Sequence, residues 1–284
     1  MFNQNIKSPV NIPVEKIHPF EGNPYKVLDN DEMNNLICSI QEQGILTPII
    51  IRPIENTDEY EVISGHRRLH ATVKAGIKEV PAFIYAVNRD EAAIMLVDSN
   101  LHREHILPSE KAFAYKLKLD AIKHQGKTSA QVGQKWSVEQ VAEESSDSRS
   151  QIQRYIRLTY LIPELLDLVD EEKIALTPAV ELSYLTDEEQ YSLLGTIEEE
   201  DRTPSLSQAV RFKKLSQAGE LSDESIETIM QEDKANQKPM FKVSMERLQK
   251  VAPKVKDKDF EDFVLKACEH YYRYLLRQRD RDSR

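Results

Sequence analysis

No stretch of these 284 residues stays apolar for long enough to cross a bilayer. Runs such as Pro48-Ile49-Ile50-Ile51 fall far short of the roughly 20 residues that a spanning helix needs, so a membrane is not an expected partner. Met1 to Lys7 contains no apolar h-region, and no secretion signal is expected there. Cysteine is scarce. Cys38 and Cys268 cannot build a disulfide framework, and both lie in helix-like apolar patterns, where they read as small core residues of a protein in a reducing cytoplasm. Internal repeats and low-complexity tracts are absent, which removes solenoid and tail-like architectures.

A surplus of positive charge is also missing: the net charge is −10. Taken alone that opposes nucleic-acid binding, because neutralising phosphates takes Lys and Arg. Placement matters more than the sum. Acid collects in Ile197 to Asp201 and around Asp167 to Glu172, whereas arginines collect at Arg67-Arg68, from Arg149 to Arg157, and in the tail from Arg273 to Arg284.

What is present is a chain long enough for two or three compact units. Its first hundred residues mix strands and helices. Val10 to Val14, Pro48 to Arg52, Tyr60 to Ser64 and Val80 to Tyr85 read as extended. Asp31 to Gln43 reads as a helix stopped by Gly44, a second helix runs from Gly65 to before Gly76, and Asp90 to Asn100 as a third. After Pro108 strand signals fade. Ser109 to His124 reads as a helix with Ser109 as its cap, Gln125 to Lys135 as a loop, and several short helices follow to Ala218. Glu232 to Pro239 is a linker by composition, Met240 to Ser244 a strand. A final amphipathic helix carries Phe260, Phe263, Val264, Ala267 and Tyr271 on one face, with a disordered end from Arg277 to Arg284.

Residues 137 to 161 carry the clearest signal. Ser137-Val138-Glu139-Gln140 has capping-box form, and Val138, Val141 and Ala142 give a short helix its apolar stripe. Ser145-Ser146-Asp147 is turn chemistry, with Ser146 near the place where a turn glycine is usual. Ser148-Arg149-Ser150-Gln151 repeats the box and opens a second helix with Ile152, Tyr155 and Ile156 facing inward. That leaves Ser148, Arg149, Ser150, Gln151, Gln153, Arg154 and Arg157 for solvent or for DNA. This is the form of a helix-turn-helix, whose second helix carries Arg and Gln to base edges and phosphates. An ordinary helical hairpin with a solvated face is the competing reading.

Three short pieces of the front region stand out: Gln43-Gly44-Ile45-Leu46-Thr47-Pro48-Ile49-Ile50, Ser64-Gly65-His66-Arg67-Arg68-Leu69-His70-Ala71, and Ser99-Asn100-Leu101-His102-Arg103-Glu104. The second sets a glycine and two arginines where a strand hands over to a helix, a favourable place for a polyphosphate. The third offers an amide oxygen for Mg²⁺ and a guanidinium for phosphate. His66 with His70, and His102 with His105, have the spacing of helical zinc pairs, but no Cys cluster or His-Glu-x-x-His pattern accompanies them and no structural metal site is expected.

In their order, and followed by Leu107-Pro108-Ser109-Glu110, the helix-turn-helix and Ile174 to Ala179, these pieces resemble the ParB family of partition proteins over residues 8 to 185. The resemblance implies a multidomain α+β chain. A ParB/Srx-like mixed α/β domain over 8–106 binds nucleotide, and an all-α DNA-binding domain covers 107–220. A helix and linker over 221–239 lead to a small strand–helix dimerisation segment over 240–278 and a basic tail over 279–284. It further implies a CTP pocket in which Gly65, His66, Arg67, Arg68 and Arg103 hold phosphates, Asn100 holds Mg²⁺ and Thr47 lies near the base. The partners implied are double-stranded DNA, a second copy of the chain and a ParA-type ATPase. The last is implied less directly than DNA, since the basic N-terminal peptide of many members is not matched and only Lys7 supplies charge before Glu15. The place implied is cytoplasmic, on a nucleoid or plasmid. Where the family usually has glutamates in the two pocket motifs this chain has His66 and Ser99, so slow or absent CTP hydrolysis is expected, and a nuclease or hydrolase on the same fold is the weaker alternative. A transcription regulator or nucleoid-occlusion factor shares the fold and is the alternative role.

Overall fold

The computed structural model describes residues 8–101, 103, 105–125, 138, 139, 141, 142, 145, 147–232, 249–252, 255 and 260–282. The chain divides into two compact units, Met1–Glu232 and Asp233–Arg284.

The first unit opens with a sheet. Strands β1 (Val10–Pro13), β2 (Ile17–His18), β3 (Ile49–Pro53), β4 (Tyr60–Ser64) and β5 (Glu79–Ile84) are ordered β1-β5-β3-β4-β2. Pairing is antiparallel for β1/β5 and β3/β4, and parallel for β3/β5 and β2/β4, with a register irregularity between Ile50 and Ile51. The central strands are β-branched because both of their faces are covered: Ile49, Ile51, Val62, Val80 and Ala82 join Leu69 in one core. Helices α1 (Asp31–Gln43) and α2 (His66–Lys74) pack together through Met33, Ile40 and Ala71. Helix α3 (Arg89–Asp98) starts in a capping box built by Asn88 and Glu91.

Helix α4 (Pro108–Gln125) is the spine of the unit. Ala114 and Ala121 meet Leu96 and Val97 of α3, while Tyr115 and Leu119 meet the helix-turn-helix. After it come α5 (Arg149–Leu158), α6 (Pro163–Asp170), α7 (Leu176–Leu182), α8 (Asp187–Glu200), α9 (Leu206–Ala218) and α10 (Asp223–Gln231). Leu158, Leu165, Leu182, Leu193 and Phe212 close their common core. In the second unit α11 spans Phe260–Asp282.

Three expectations need correcting. Ser109 does not cap α4. The helix begins one residue earlier, at Pro108, whose missing N–H costs nothing there. The Ser109 N–H and hydroxyl both donate to the Asp170 carboxylate, at 2.9 and 2.5 Å. Cys38 and Cys268 are exposed rather than core residues, because α1 buries the stripe of Met33 and Ile40 and turns Cys38 outward. The tail is helical through Asp282 instead of disordered from Arg277, since no glycine or proline interrupts it. The expected loop at Gln125 to Lys135 lies outside the described residues from 126 on, as do Ser137 of the first capping box and Ser146. The linker from 233 on and the strand at Met240 to Ser244 also lie outside them.

Candidate nucleotide cradle and DNA-reading helix

The cradle forms where β4 turns into α2. Gly65 sits at φ 101°, a left-handed conformation that disfavours any side chain. A Cβ there would also lie 2.7 Å from Ile49 Cγ2. The turn therefore exposes the free N–H groups of the first turn of α2. Arg68 folds back beneath it. Its Nη1 donates to the carbonyls of Thr47 and Pro48, the latter at 2.8 Å, while Nη2 stays next to Gly65. This ties the 43–50 segment to the start of α2, and burial holds the guanidinium below its ordinary pKa. Thr47 itself is exposed, and Arg67 reaches Glu32 of α1 at 3.0 Å on the surface.

His66 has a buried Nε2 with no hydrogen-bond partner. Burial, helped by the charge of Arg103, lowers its pKa from 6.5 to about 4, so the ring is neutral at pH 7. Asn100 is buried. Its Nδ2 donates to Leu96 O at 2.7 Å and to Ser99 Oγ at 3.2 Å, which orients the amide and makes Oδ1 the atom that could ligate a cation. Arg103 is exposed, with its guanidinium 5.5 Å from the centre of the Tyr25 ring. Gly65, His66, Arg68, Thr47 and Arg103 thus come together through Arg68 and His66, with Asn100 on the segment that leads to Arg103. Orphaned nitrogen, open amides and the guanidinium groups of Arg68 and Arg103, for which the described residues show no carboxylate partner, form a set that fits a polyphosphate. For Mg²⁺, Asn100 could supply one neutral oxygen, which suits a cation carried in by phosphates. Among the described residues no cluster of three His, Cys, Asp or Glu could hold a metal ion. His70 turns to Asp29 at 2.8 Å, away from His66, and His102 lies outside the described residues.

Two residues of this region were missed from sequence. Tyr25 is buried and carries Arg103 on its face. Lys118 has no exposed surface, and its ammonium lies 2.5 Å from Asp98 at the end of α3. A lysine on a helix ordinarily reads as solvated, so no local signal marked it.

The second site is α5. Val138 and Val141 of the preceding helical residues pack with Tyr115, Leu119 and Ile152. Asp147 fixes the turn by accepting from the Tyr115 hydroxyl at 2.6 Å and from Lys111 at 3.0 Å. Ser148 caps α5 by accepting from the Gln151 N–H at 3.3 Å, while the Gln151 side chain turns to Arg154 at 3.4 Å. Ser148, Ser150 and Gln153 are exposed. Arg149 makes a part-exposed pair with Glu139 at 3.0 Å, a contact weak enough to be exchanged for a phosphate. Arg154 reaches Thr177 Oγ1 at 2.5 Å. Arg157 is held by Ser183 Oγ at 3.0 Å and Ser183 O at 2.6 Å.

Among the described residues no helix is long and apolar enough to cross a membrane. Residues 3–101 match the family model for the ParB N-terminal domain, and residues 108–208 match that for the ParB HTH domain. A nucleoid occlusion protein of Listeria innocua is 32% identical over 197 residues, 69% of this chain and 65% of that protein. The chain thus matches a little under two thirds of that relative's length. The chromosome-partitioning protein Spo0J of Thermus thermophilus is 31% identical over 202 residues, 71% of this chain and 70% of that one. A C-terminally truncated ParB from Caulobacter crescentus, solved with its centromeric parS site, is 21% identical with a TM-score of 0.42, covering 78% of this chain and 98% of that one. With both domain models met in sequence and a relative of this identity matched along 70% of its length, the chain belongs to the ParB family.

Proposed function

We propose that this protein is a site-specific DNA-binding partition protein in which CTP, with Mg²⁺, gates the grip of a dimer on DNA. The observation that carries the reading is the buried, partnerless His66 Nε2 set beside the left-handed Gly65 and Arg103, in the same unit as a capped α5 with its polar face outward. The phosphates would meet the amides of Gly65 to Arg68 and the guanidinium of Arg103, with Thr47 near the base and Asn100 Oδ1 on the cation. Arg67 would have to leave Glu32 to join them, which a surface pair allows at a cost of about 0–1 kcal/mol. On the DNA side, Ser148, Arg149, Ser150, Gln151, Gln153 and Arg154 would read the major groove. Arg157 is engaged by Ser183 and would hold α5 in place. Neither His66 nor Ser99 supplies the carboxylate usual in the family, so hydrolysis would be slow or absent.

Nucleoid occlusion is a second reading. It is favoured by the several Listeria relatives of that name at 31–32% identity. Mapping bound sites in the cell separates the two: one centromere-like cluster supports partition, and dispersed sites support occlusion. A ParA-type ATPase partner belongs only to the first reading, and the nucleoid or a plasmid is the expected place of both.

The direct test is crosslinking of front domains through an introduced cysteine, with each of the four NTPs and with candidate duplexes. Cys38 and Cys268 are exposed and must first become serine. Crosslinking that requires CTP and responds to one duplex is expected. Equal crosslinking with all nucleotides and with none, together with no duplex shifted at low salt, would overturn the proposal.

A further inference from the structure

Five side chains from three helices and two turns form a continuous row across the far end of α5. Lys116 of α4 lies 5.6 Å from the Tyr160 ring centre, and Arg157 lies 4.4 Å from the same ring. Arg157 is also 3.9 Å from the Tyr184 ring, whose other cation is Lys213 of α9 at 3.7 Å. Cations and rings alternate, and each contact is of the kind that holds a guanidinium or ammonium over an aromatic face. The rings nonetheless remain open to solvent, Tyr160 at 55% and Tyr184 at 40%. In a chain of net charge −10, the row gathers three cations, and Glu181, 2.8 Å from Lys213, is the carboxylate bonded to it.

The position of the row indicates its partner. Ser150, Gln153, Arg154 and Arg157 follow the i, i+3, i+4, i+7 spacing of one helix face, opposite the buried Ile152. Arg157, held by Ser183, ends this face where it leaves the groove and is the centre of the row. Lys116 and Lys213 lie at its two ends, beyond the base-reading side chains. Cations placed beyond the base-reading side chains are set to meet the phosphates that border the groove rather than base edges.

We propose that the row from Lys116 to Lys213 is a second DNA contact, which clamps the duplex backbone beside the groove occupied by α5. This rests on the DNA-binding reading above. Arg157, packed between two rings, sets the spacing, and the terminal lysines bind phosphate. The contact is independent of sequence, so it sets affinity and register and leaves recognition to residues 148–154.

The test is fluorescence anisotropy with the full chain and a panel of labelled duplexes of unrelated sequence, titrated over a range of salt. Wild type is compared with Lys116→Gln, Lys213→Gln and the double variant, and thermal unfolding checks the fold. Each lysine lost should make the plot of log K against log salt shallower by about 0.9. Affinity should fall by a similar factor on every duplex, and the order of preference among duplexes should be unchanged. Unchanged slopes in folded variants would overturn the proposal, as would a loss confined to one duplex. Should the double variant melt early, Lys116→Gln alone decides, since among the described residues Lys116 meets the Tyr160 ring and no carboxylate. A wild type that binds no duplex at low salt would instead overturn the DNA-binding reading, and the clamp with it.

Discussion

His66 enters the cradle as a neutral imidazole, and a response to pH follows from that. Its folded pKa of about 4 lies below the unfolded value near 6.5. The unfolded chain therefore binds the extra proton between these values, and folding stability falls as pH drops from 6.5 towards 4, by on the order of 2–3 kcal/mol for this group. His66→Asn should flatten that part of a chemical-denaturation series. A phosphate oxygen at Nε2 acts the other way by favouring the protonated ring, so CTP should bind more tightly at pH 6 than at pH 8, and proton uptake should appear in calorimetry as a dependence on buffer. A second residue-scale case is Arg52, buried against Glu61 at 2.6 Å, with Glu61 also accepting from the Glu21 N–H. Arg52→Ala leaves a buried carboxylate short of its partner and should cost about 3–5 kcal/mol in urea unfolding. At this scale the sequence was partly legible. Gly65, Arg67 and Arg68 stood out because a strand-to-helix handover restricts what can occupy it. Tyr25, Lys118 and both cysteines were misjudged or missed, because burial of a single side chain depends on distant segments that no local pattern encodes.

The elements were legible wherever periodicity and caps agreed. Helix α1 ends at Gln43, and α5 begins after Ser148, because each boundary has a chemical cause: a left-handed Gly44 and a hydroxyl cap. Boundaries failed where the partner lay elsewhere in the chain, as with Ser109, whose hydroxyl is taken by Asp170 of α6. Helix α11 buries Phe260 but leaves other large apolar side chains open to solvent. Phe263, Tyr271, Tyr274 and Leu275 are 40–61% exposed along it, and charge pairs such as Lys266–Asp262 at 2.6 Å cover only the polar side. An exposed apolar stripe is stabilised when it meets another such stripe, which here fits a second copy. Phe263→Asp with Tyr271→Asp should halve the mass measured by light scattering at micromolar concentration. An unchanged dimer mass would move the dimer contact to another surface.

Across the whole first unit, one helix links the two sites. α3 ends at the segment carrying Asn100 and Arg103, packs along α4 through Leu96 and Val97, and α4 in turn supports α5 through Tyr115 and Leu119. The sequence revealed both ends of this route as motifs but not the joint between them, since Lys118 and Asp98 are 20 residues apart and each is ordinary in its own helix. The joint is a buried ammonium bonded to a carboxylate that is 45% exposed. Replacing that lysine with an apolar side chain of similar length leaves Asp98 hydrated, so the fold should survive, as buried ion pairs often permit. What should be lost is the coupling. If nucleotide changes DNA affinity by shifting α3 against α4, the change has the usual allosteric size of about 1–3 kcal/mol, or roughly 5–150-fold. In Lys118→Met that ratio, measured as duplex affinity with and without CTP, should shrink towards one, while CTP binding itself and the melting temperature stay close to wild type. A folded Lys118→Met protein that keeps the full ratio would show that the nucleotide acts on DNA by a route other than the α3–α4 contact.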